Sequence, residues 1–223
     1  MAARNARENI LRRLRQARAG LPAPPPPDPL ADRKWLARQP PITDPAGRFI
    51  HEQEAVGSQV RRVTSWEALG DVVPPWLAEV KVSSVITGTE PRLNPLRERL
   101  EAGQGFELHT YDRAIEEQRE EVFSVDCGIT TSHAAIADTG SVILIPSPAE
   151  PRLLSLAVPV HLVLVEAGRL FPTLLDFIDS GEYQADPPTN LVLVSGASRT
   201  ADIELTLAIG VHGPRELLVA LIG

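Results

Sequence analysis

The stretch NLVLVSGASRTADIELTLAIGVHGP, residues 190–214, predicts how this chain folds, because it has the pattern of a strand, a glycine turn and a helix in succession. Residues 191–194 form an apolar run that is too short for a helix and is typical of a buried strand. Gly196 supplies the turn, and Ser198 supplies a hydroxyl that can cap a helix. The apolar residues that follow recur with the helical period, so we expect a helix over residues 199–209.

A strand-to-helix turn of this kind can bind an anion. In a parallel sheet the turn lies at the carboxyl edge, where unpaired helix amides and an arginine can hold a phosphate or a carboxylate. The other interpretation is an ordinary, well-capped connection that binds nothing. The candidate anion-binding residues of this turn are Gly196, Ser198, Arg199 and Thr200.

A second stretch, CGITTSHAAIADTG at residues 127–140, has a similar design. It predicts a buried strand, a hydroxyl-rich turn and a short helix over residues 133–138. The two turns together could line one pocket. The candidate anion-binding residues of the second turn are Thr130, Thr131, Thr139 and Gly140.

Three residues near these turns are candidates for proton transfer. His133 is a candidate proton carrier, although it could equally be a helix residue that faces solvent. Asp138 lies near the predicted helix end, where a negative charge is mildly unfavourable, so a special role is easier to defend. Glu204 is a candidate carboxylate that could also act only in helix capping. Arg199 would supply the complementary positive charge.

The length and charge of the chain limit its class. With 223 residues it is long enough for one domain plus a tail. The formal net charge is −7, and six arginines with one glutamate give the first twenty residues a charge of +5. The remaining residues therefore carry −12, which argues against a nucleic-acid groove on the body of the protein.

The composition excludes several kinds of site. Cys127 is the only cysteine, so an intrachain disulfide and an all-cysteine iron–sulfur or zinc site are impossible on this chain. The two lysines, Lys34 and Lys81, lie outside any glycine-rich phosphate loop. The histidines show no metal-ligand spacing, so we expect no metal and no cofactor on this chain. No apolar run is long enough to span a membrane and no signal peptide is visible, so we expect a cytoplasmic protein.

The sequence divides into three segments. Residues 1–20 predict a basic amphipathic helix, residues 21–40 a stiff proline-rich linker, and residues 41–223 an α/β domain. The first helix carries a narrow apolar stripe of Ile10, Leu11 and Leu14 among arginines. Three roles are open for it: a free solvated tail, a helix that packs on a second copy or a partner, and a membrane-surface helix.

Strand and helix patterns alternate through the body, which predicts a mostly parallel sheet with helices on both faces. We expect the helix after residue 65 to be interrupted at Pro74 and Pro75, and the helix over residues 112–121 to be capped by Asp112. The apolar runs that predict strands include residues 59–64, 82–87, 106–111, 142–145, 162–165 and 217–222.

Three motifs in this order resemble the LUD-domain proteins, in particular the lactate-utilisation protein C group. They are CGITTSHAAIADTGSVIL at 127–144, PRLLSLAVPVHLVLV at 151–165 and SGASRTADIELTLAIGVHGPREL at 195–217. The resemblance covers most of residues 57–223, with Ala197 at a position where the family commonly has proline. It implies a three-layer α/β/α sandwich like that of the phosphosugar isomerases and CoA transferases.

The resemblance also implies a function. It points to an accessory subunit of a complex that oxidises L-lactate to pyruvate, with the iron–sulfur clusters in partner subunits and a second copy of the chain as a further possible partner. The single cysteine agrees with that division of labour. The family supplies no catalytic residues to carry over. The alternative is a stand-alone transferase or isomerase that uses Glu204 or Asp138 on a phosphorylated or CoA-linked small molecule.

Overall fold

The computed structural model describes residues 2–19, 40–103, 105–182, 187–201, 207–210 and 212–223. The chain forms two compact units, residues 1–41 and 42–223. The first unit contains helix α1 (Ala2–Arg18), whose residues 8–18 are exposed. The predicted proline-rich linker lies almost entirely outside the described residues.

The second unit alternates strands and helices. Its helices are α2 (Pro45–Ala55), α3 (Leu69–Glu79), α4 (Asn94–Ala102), α5 (Ile115–Ser124), α6 (Leu153–Leu156) and α7 (Leu174–Asp179), with 3₁₀ turns at Pro91–Leu93 and Ala167–Arg169. Its strands are β1 (Gln59–Val63), β2 (Ser84–Thr87), β3 (Glu107–Thr110), β4 (Cys127–Thr131), β5 (Ala134–Ile136), β6 (Ser141–Leu144), β7 (Val160–Glu166), β8 (Leu170–Phe171), β9 (Val192–Val194), β10 (Arg199–Ala201), β11 (Leu207–Ile209) and β12 (Glu216–Ile222).

The main sheet has six parallel strands in the order β1-β12-β7-β4-β2-β3. Strands β12 and β7 form its middle, with Leu218 opposite Leu162 and Val219 opposite Val163. These strands are apolar along almost their whole length because both faces of the sheet are covered. The prediction of a mostly parallel sheet is confirmed.

Helices α3 and α4 cover one face of the parallel sheet. Trp76 of α3 and Leu96 of α4 share a core with Leu162 of β7. Helices α5 and α6 pack on the opposite face, where Val122 and Leu154 surround Ile86 of β2. The chain therefore forms the predicted α/β sandwich, with helices on both faces of one sheet.

A second, four-stranded sheet adds a layer that the sequence patterns do not predict. Its order is β8-β5-β6-β9, with β6 antiparallel to both of its neighbours. On one side, Val142 of β6 shares a core with Phe49 of α2 and Val163 of β7. On the other side, Phe177 of α7 packs on Ile143. Strand β6, predicted as a central strand, is thus interior to this second sheet.

The predicted helix over residues 133–138 is wrong, because β5 occupies this stretch. Ala135 faces the core shared with the parallel sheet, and Ile136 faces the core beneath α7. A strand buried on both faces needs small apolar side chains here, and that packing overrides the helix preference of alanine.

The predicted helix that starts at Arg199 is also wrong. Residues Arg199–Ala201 form β10, which pairs antiparallel with Leu207–Ile209 of β11. The tip of this hairpin, residues 202–206, lies outside the described residues. The candidate carboxylate Glu204 is among them.

Two helix details differ from the expectations. Helix α3 continues through Pro74 and Pro75, and Arg99 Nε lies 3.4 Å from Gly70 O, a carbonyl that loses its helical partner at Pro74. Asp112 does not cap α5. Instead the buried Gln118 accepts hydrogen bonds from the backbone N–H groups of residues 112 and 113.

Several helix ends follow their sequence signals. Asp44 accepts a hydrogen bond from Gly47 N over 2.9 Å, and Pro45 follows it at the first position of α2. Thr173 and Asp176 form a reciprocal capping box at the start of α7.

Candidate functional site

Strands β2 and β4 are neighbours in the parallel sheet, and the chain leaves them towards opposite faces. After β2 it enters α4, whose Leu100 packs with Val85. After β4 it enters β5 and then α6, whose Leu154 packs with Ile86 on the other face. In open parallel sheets, ligands bind in the crevice at the carboxyl ends of two such strands.

The loop of residues 145–152 lies across this crevice. Thr89 N, just after β2, donates to Ala149 O over 2.7 Å. A Cβ atom at Gly88 would lie 1.9 Å from the same carbonyl oxygen, so only glycine allows this close approach. The loop is thereby held against the end of β2.

Glu150 of this loop is anchored at the end of β4. Thr131 N donates to Glu150 Oε1 over 2.7 Å, and Thr131 Oγ1 donates to Oε2 over 2.5 Å. Burial raises the pKa of the Glu150 carboxyl group, and the nearby Glu90 raises it further, against the lowering effects of the Thr131 hydrogen bonds and Arg92. The Glu150 carboxyl group therefore binds a proton more readily than an exposed glutamate does.

Arg92 joins the ends of three strands. Its guanidinium donates to Thr131 Oγ1 over 3.2 Å, to Glu90 Oε1 over 2.8 Å and to Glu166 Oε1 over 2.8 Å. It also lies over the ring of Trp66, 5.4 Å from the ring centre. Arg92 is thus engaged by two carboxylates and positions the residues around Thr131.

A small cleft opens beside Glu150. It encloses only about 10 Å³, room for about one water molecule, so it is a shallow groove. One wall is apolar, and Arg152 is exposed at the cleft. Within the described part of the chain, the Arg152 guanidinium has no ion-pair partner. The lining residues are Thr130, Thr131, Leu144, Ile145, Pro146, Glu150, Pro151, Arg152 and Ser155.

Thr130 lines the same cleft and is tied to the centre of the sheet. Its Oγ1 lies 2.9 Å from His161 Nε2. His161 is completely buried, and burial lowers its pKa to about 3. His161 is therefore neutral at physiological pH, and it fixes the Thr130 side chain.

The predicted residues Thr139 and Gly140 lie elsewhere, beyond the other end of β5. Thr139 Oγ1 is 2.7 Å from Ser141 Oγ, which is 2.7 Å from Ser195 Oγ. These contacts do bring the two predicted turns together. Gln53 of α2 donates its side-chain N–H to Gly140 O.

Gly196 and Arg199 also pack against the end of α2. Gly196 has a φ of +125°, and a Cβ atom there would lie 2.8 Å from Val56 Cγ2. Arg199 Nη2 donates to Val56 O, a carbonyl at the carboxyl end of α2, where a cation is favourable. Ser198 N donates to Pro214 O, and Thr200 lies in β10. Anion binding by these residues stays a prediction. Its reason was a helix start at Arg199, where the structure has strand β10 instead.

Of the proposed proton carriers that the structure describes, His133 and Asp138 lie at opposite ends of β5. His133 precedes β5, and its Nε2 lies 2.8 Å from Glu182 Oε2 and 3.0 Å from Arg169 Nη2. Asp138 follows β5, is 45% exposed, and lies 3.9 Å from Arg48. Hydrogen bonds from Arg169 and His133 lower the pKa of Glu182 to about 2, so this group is a surface ion cluster.

Sequence reasoning missed Arg92, Glu150 and Arg152. The stretch PSPAEPRLL at residues 146–154 reads as a proline-rich loop, and nothing in its spacing indicates a site. The sequence did contain one indication of a site. Glu150 and Arg152 lie between an apolar strand pattern and a helical turn. Thr130 and Thr131 were predicted as site residues, and they line the cleft, but within a strand.

Comparison with known proteins identifies the family. The LUD domain model matches residues 46–222. The chain belongs to the LUD-domain family. An uncharacterized protein of Neisseria meningitidis serogroup B is 31% identical over 96% of this chain and 92% of its own length. The LUD-domain resemblance of the motifs is thereby confirmed.

Several relatives carry the name lactate utilization protein C. Lactate utilization protein C of Halalkalibacterium halodurans is 27% identical over 68% of this chain and 67% of its own length. Lactate utilization protein C 1 of Bacillus mycoides is 28% identical over 75% of this chain and 74% of its own length.

A solved structure shows the same fold. A DUF162 family protein from Deinococcus radiodurans superposes with a TM-score of 0.57 at 20% identity, over 82% of this chain and 100% of its own. Within the described residues, no helix is long and apolar enough to cross a membrane. The same residues contain no group of three or more histidine, cysteine, aspartate or glutamate side chains placed to hold a metal ion.

Proposed function

We propose that this LUD-domain chain is an accessory subunit of a system that oxidises L-lactate to pyruvate, in which it binds partner subunits that carry iron–sulfur clusters. The observation that carries the proposal is the similarity to two relatives named lactate utilization protein C, over two thirds or more of each chain. The LUD-domain match over residues 46–222 supports it.

The chemistry of the single cysteine is consistent with clusters on other chains. Cys127 lies in β4, is completely buried, and has its pKa raised by burial to about 12. Iron–sulfur clusters are held by several cysteine thiolates, whereas this chain has a single cysteine. The proposal therefore gives this chain a role in assembly and ligand binding, and gives electron transfer to its partners.

Helix α1 is the proposed contact with a partner. Ile10 and Leu14 are each 60% exposed, and arginines surround them on the helix. A narrow apolar stripe within a strongly positive helix fits an acidic protein surface that has an apolar groove. We assign that surface to another subunit of the lactate system.

The proposal is tested by purifying the tagged chain from cells grown on lactate. We expect two iron–sulfur proteins to co-purify, and we expect a chain without residues 1–30 to lose them while its melting temperature stays unchanged. A second variant replaces Ile10 and Leu14 by alanine and keeps every arginine, and it should also lose the two proteins because the apolar stripe is part of the contact. Normal growth on lactate after deletion of the gene, in a strain with no second lactate dehydrogenase, would contradict the proposal.

One observation favours a second candidate, a stand-alone transferase or isomerase for a phosphorylated or CoA-linked small molecule. Glu150 is a largely buried carboxyl group with a raised pKa at the switch point of the sheet, which suits general acid–base chemistry. Asp138 gives no such support because it is exposed beside Arg48. Turnover of such a substrate by the isolated chain, and its loss in Glu150→Gln, would favour this candidate.

A further inference from the structure

We propose that helix α1 of one copy of this chain binds an acidic, partly apolar surface on α7 and β9 of a second copy. This surface, formed around Leu174, Ile178 and Leu193, is called the α7–β9 surface. The inference goes beyond the proposed function, because it concerns the isolated chain before another subunit of the lactate system binds α1. A subunit that binds α1 therefore competes with the second copy.

The α7–β9 surface exposes three large apolar side chains. Leu174 is 42% exposed and Ile178 is 54% exposed, and because they are four residues apart they lie on the same side of α7. Leu193 of the edge strand β9 is 47% exposed. Among the described residues of the second unit, Phe123 is the one other large apolar residue that is exposed. Most of the exposed large apolar side chains of this unit therefore belong to one surface.

The second sheet places Leu193 on the same face as α7. Leu193 lies opposite Ile143 in the antiparallel pair of β9 and β6, so the two side chains are on one face of the sheet. Phe177 of α7 packs on Ile143 from that face. Helix α7 therefore covers β6 and leaves Leu193 on the neighbouring edge strand exposed. An amphipathic helix from another molecule can pack there beside α7.

The charges of the α7–β9 surface and of α1 are opposite. Four carboxylates and one arginine give residues 169–194 a formal charge of −3. The first twenty residues carry +5, and their arginines border the exposed Ile10, Leu11 and Leu14. Opposite charges favour the encounter of α1 with this surface, whereas two α7–β9 surfaces repel each other. The occupant that fits is therefore the basic helix of the second copy.

The apolar residues of the two helices have the same spacing. Ile10 and Leu14 are four residues apart, as are Leu174 and Ile178, so each pair forms a short stripe along its helix. Helices that bind to apolar grooves use anchors with this spacing. In the single chain both stripes are exposed, and a second copy brings one to the other. Two copies that exchange their first helices in this way cover both stripes of each chain.

The experiment is sedimentation equilibrium of the purified full-length chain over a range of concentrations, at low and at high salt. We expect a monomer–dimer equilibrium that shifts towards the monomer at high salt, because screening weakens the attraction between arginines and carboxylates. Ile178→Ser should weaken the dimer by at least about tenfold, since it removes an apolar anchor. Phe123→Ser is the matched control, 56% exposed on α5, and should leave the dimer unchanged. A monomer at every concentration, or equal effects of the two substitutions, would overturn the proposal.

A mixture of two variants tests which surfaces meet. Ile178→Ser keeps α1 intact, and a variant with Ile10→Ala and Leu14→Ala keeps the α7–β9 surface intact. We expect each variant alone to be mainly monomeric at concentrations where the wild type is a dimer. The mixture should associate more strongly than either variant alone, because the intact helix of one meets the intact surface of the other. A mixture that associates no better than the separate variants would show that α1 binds elsewhere and would overturn the proposal.

The two proposals fail separately. Ile178→Ser leaves α1 intact, so the iron–sulfur proteins should still co-purify with this variant. A monomeric wild-type chain that co-purifies them would remove the second-copy contact and keep the accessory-subunit role. A dimer that co-purifies no iron–sulfur protein would do the reverse.

Discussion

Thr131 holds both oxygens of the Glu150 carboxyl group, with its backbone N–H 2.7 Å from Oε1 and its hydroxyl 2.5 Å from Oε2. The two residues are 19 positions apart, so this contact fastens the loop of residues 145–152 to the end of β4. It also fixes the segment that carries Arg152. The shape of the cleft therefore depends on Thr131 as well as on the hydrogen bond from Thr89 N to Ala149 O.

Replacing that threonine tests the contact. Thr131→Val keeps the shape of the side chain and removes the hydroxyl that binds Glu150 and Arg92. We expect the free energy of unfolding to fall by about 1–3 kcal/mol, because the half-buried Glu150 Oε2 loses its hydroxyl donor. Thr64→Val is the control, since Thr64 is exposed, and it should change stability by less than about 0.5 kcal/mol. Equal effects of the two substitutions would show that the contact contributes nothing.

The elevated pKa of Glu150 predicts how stability depends on pH. A carboxyl group with a raised pKa in the folded state stabilises the fold at low pH and loses that contribution as the pH rises through the folded-state value. Glu150→Gln stays neutral at every pH. We therefore expect the variant to gain stability relative to wild type as the pH rises above the ordinary glutamate value of 4.5. Denaturant unfolding across this range measures the difference, and a constant difference would contradict the raised pKa.

His161 predicts a dependence of the opposite sign. Its pKa falls from the ordinary 6.5 to about 3 on folding, so the unfolded chain binds a proton first as the pH drops. Stability should be complete above pH 6.5 and should be lost towards pH 3, at up to about 1.4 kcal/mol per pH unit. His161→Gln keeps a hydrogen-bonding group near Thr130 and removes the titration. Urea unfolding at several pH values should show a shallower slope for the variant, and an unchanged slope would be contrary to this account.

Gly128 tests the packing of α6 on the parallel sheet. A Cβ atom at this position would lie 2.0 Å from Leu154 O, so the helical turn contacts the strand backbone directly. We expect Gly128→Ala to cost about 3 kcal/mol, the upper range for overpacking. At Gly168 nothing lies within 4 Å of an added Cβ, so Gly168→Ala is the matched control, with an effect below about 0.5 kcal/mol. A tolerated Gly128→Ala would mean that α6 lies farther from β4.

The strands of the parallel sheet could be predicted because a strand that is buried on both faces has an unbroken run of apolar residues. Residues 162–165 and 217–222 are unbroken apolar runs, as a strand covered on both faces requires. The hairpin of β10 and β11 was not predicted because its apolar residues fit both the helical period and the strand period. Ile203 and Leu207 are one helical turn apart, yet Ile203, Leu205, Leu207 and Ile209 also alternate with the period of a strand.

The cleft could be predicted only in part. Thr130 and Thr131 follow a buried strand, so the sequence indicates a polar sheet edge. Arg92 and Glu150 come from segments 58 residues apart, and only the sheet order places β2 beside β4. Arg199 looked like an anion ligand because the pattern predicted a helix start. In the structure it binds the end of α2, which no local pattern shows.

Purification of the tagged full-length chain from cells grown on lactate tests the central claim most directly. We predict that two iron–sulfur proteins co-purify with the full-length chain and are lost when residues 1–30 are removed. Purification of the full-length chain without any iron–sulfur protein would contradict the account.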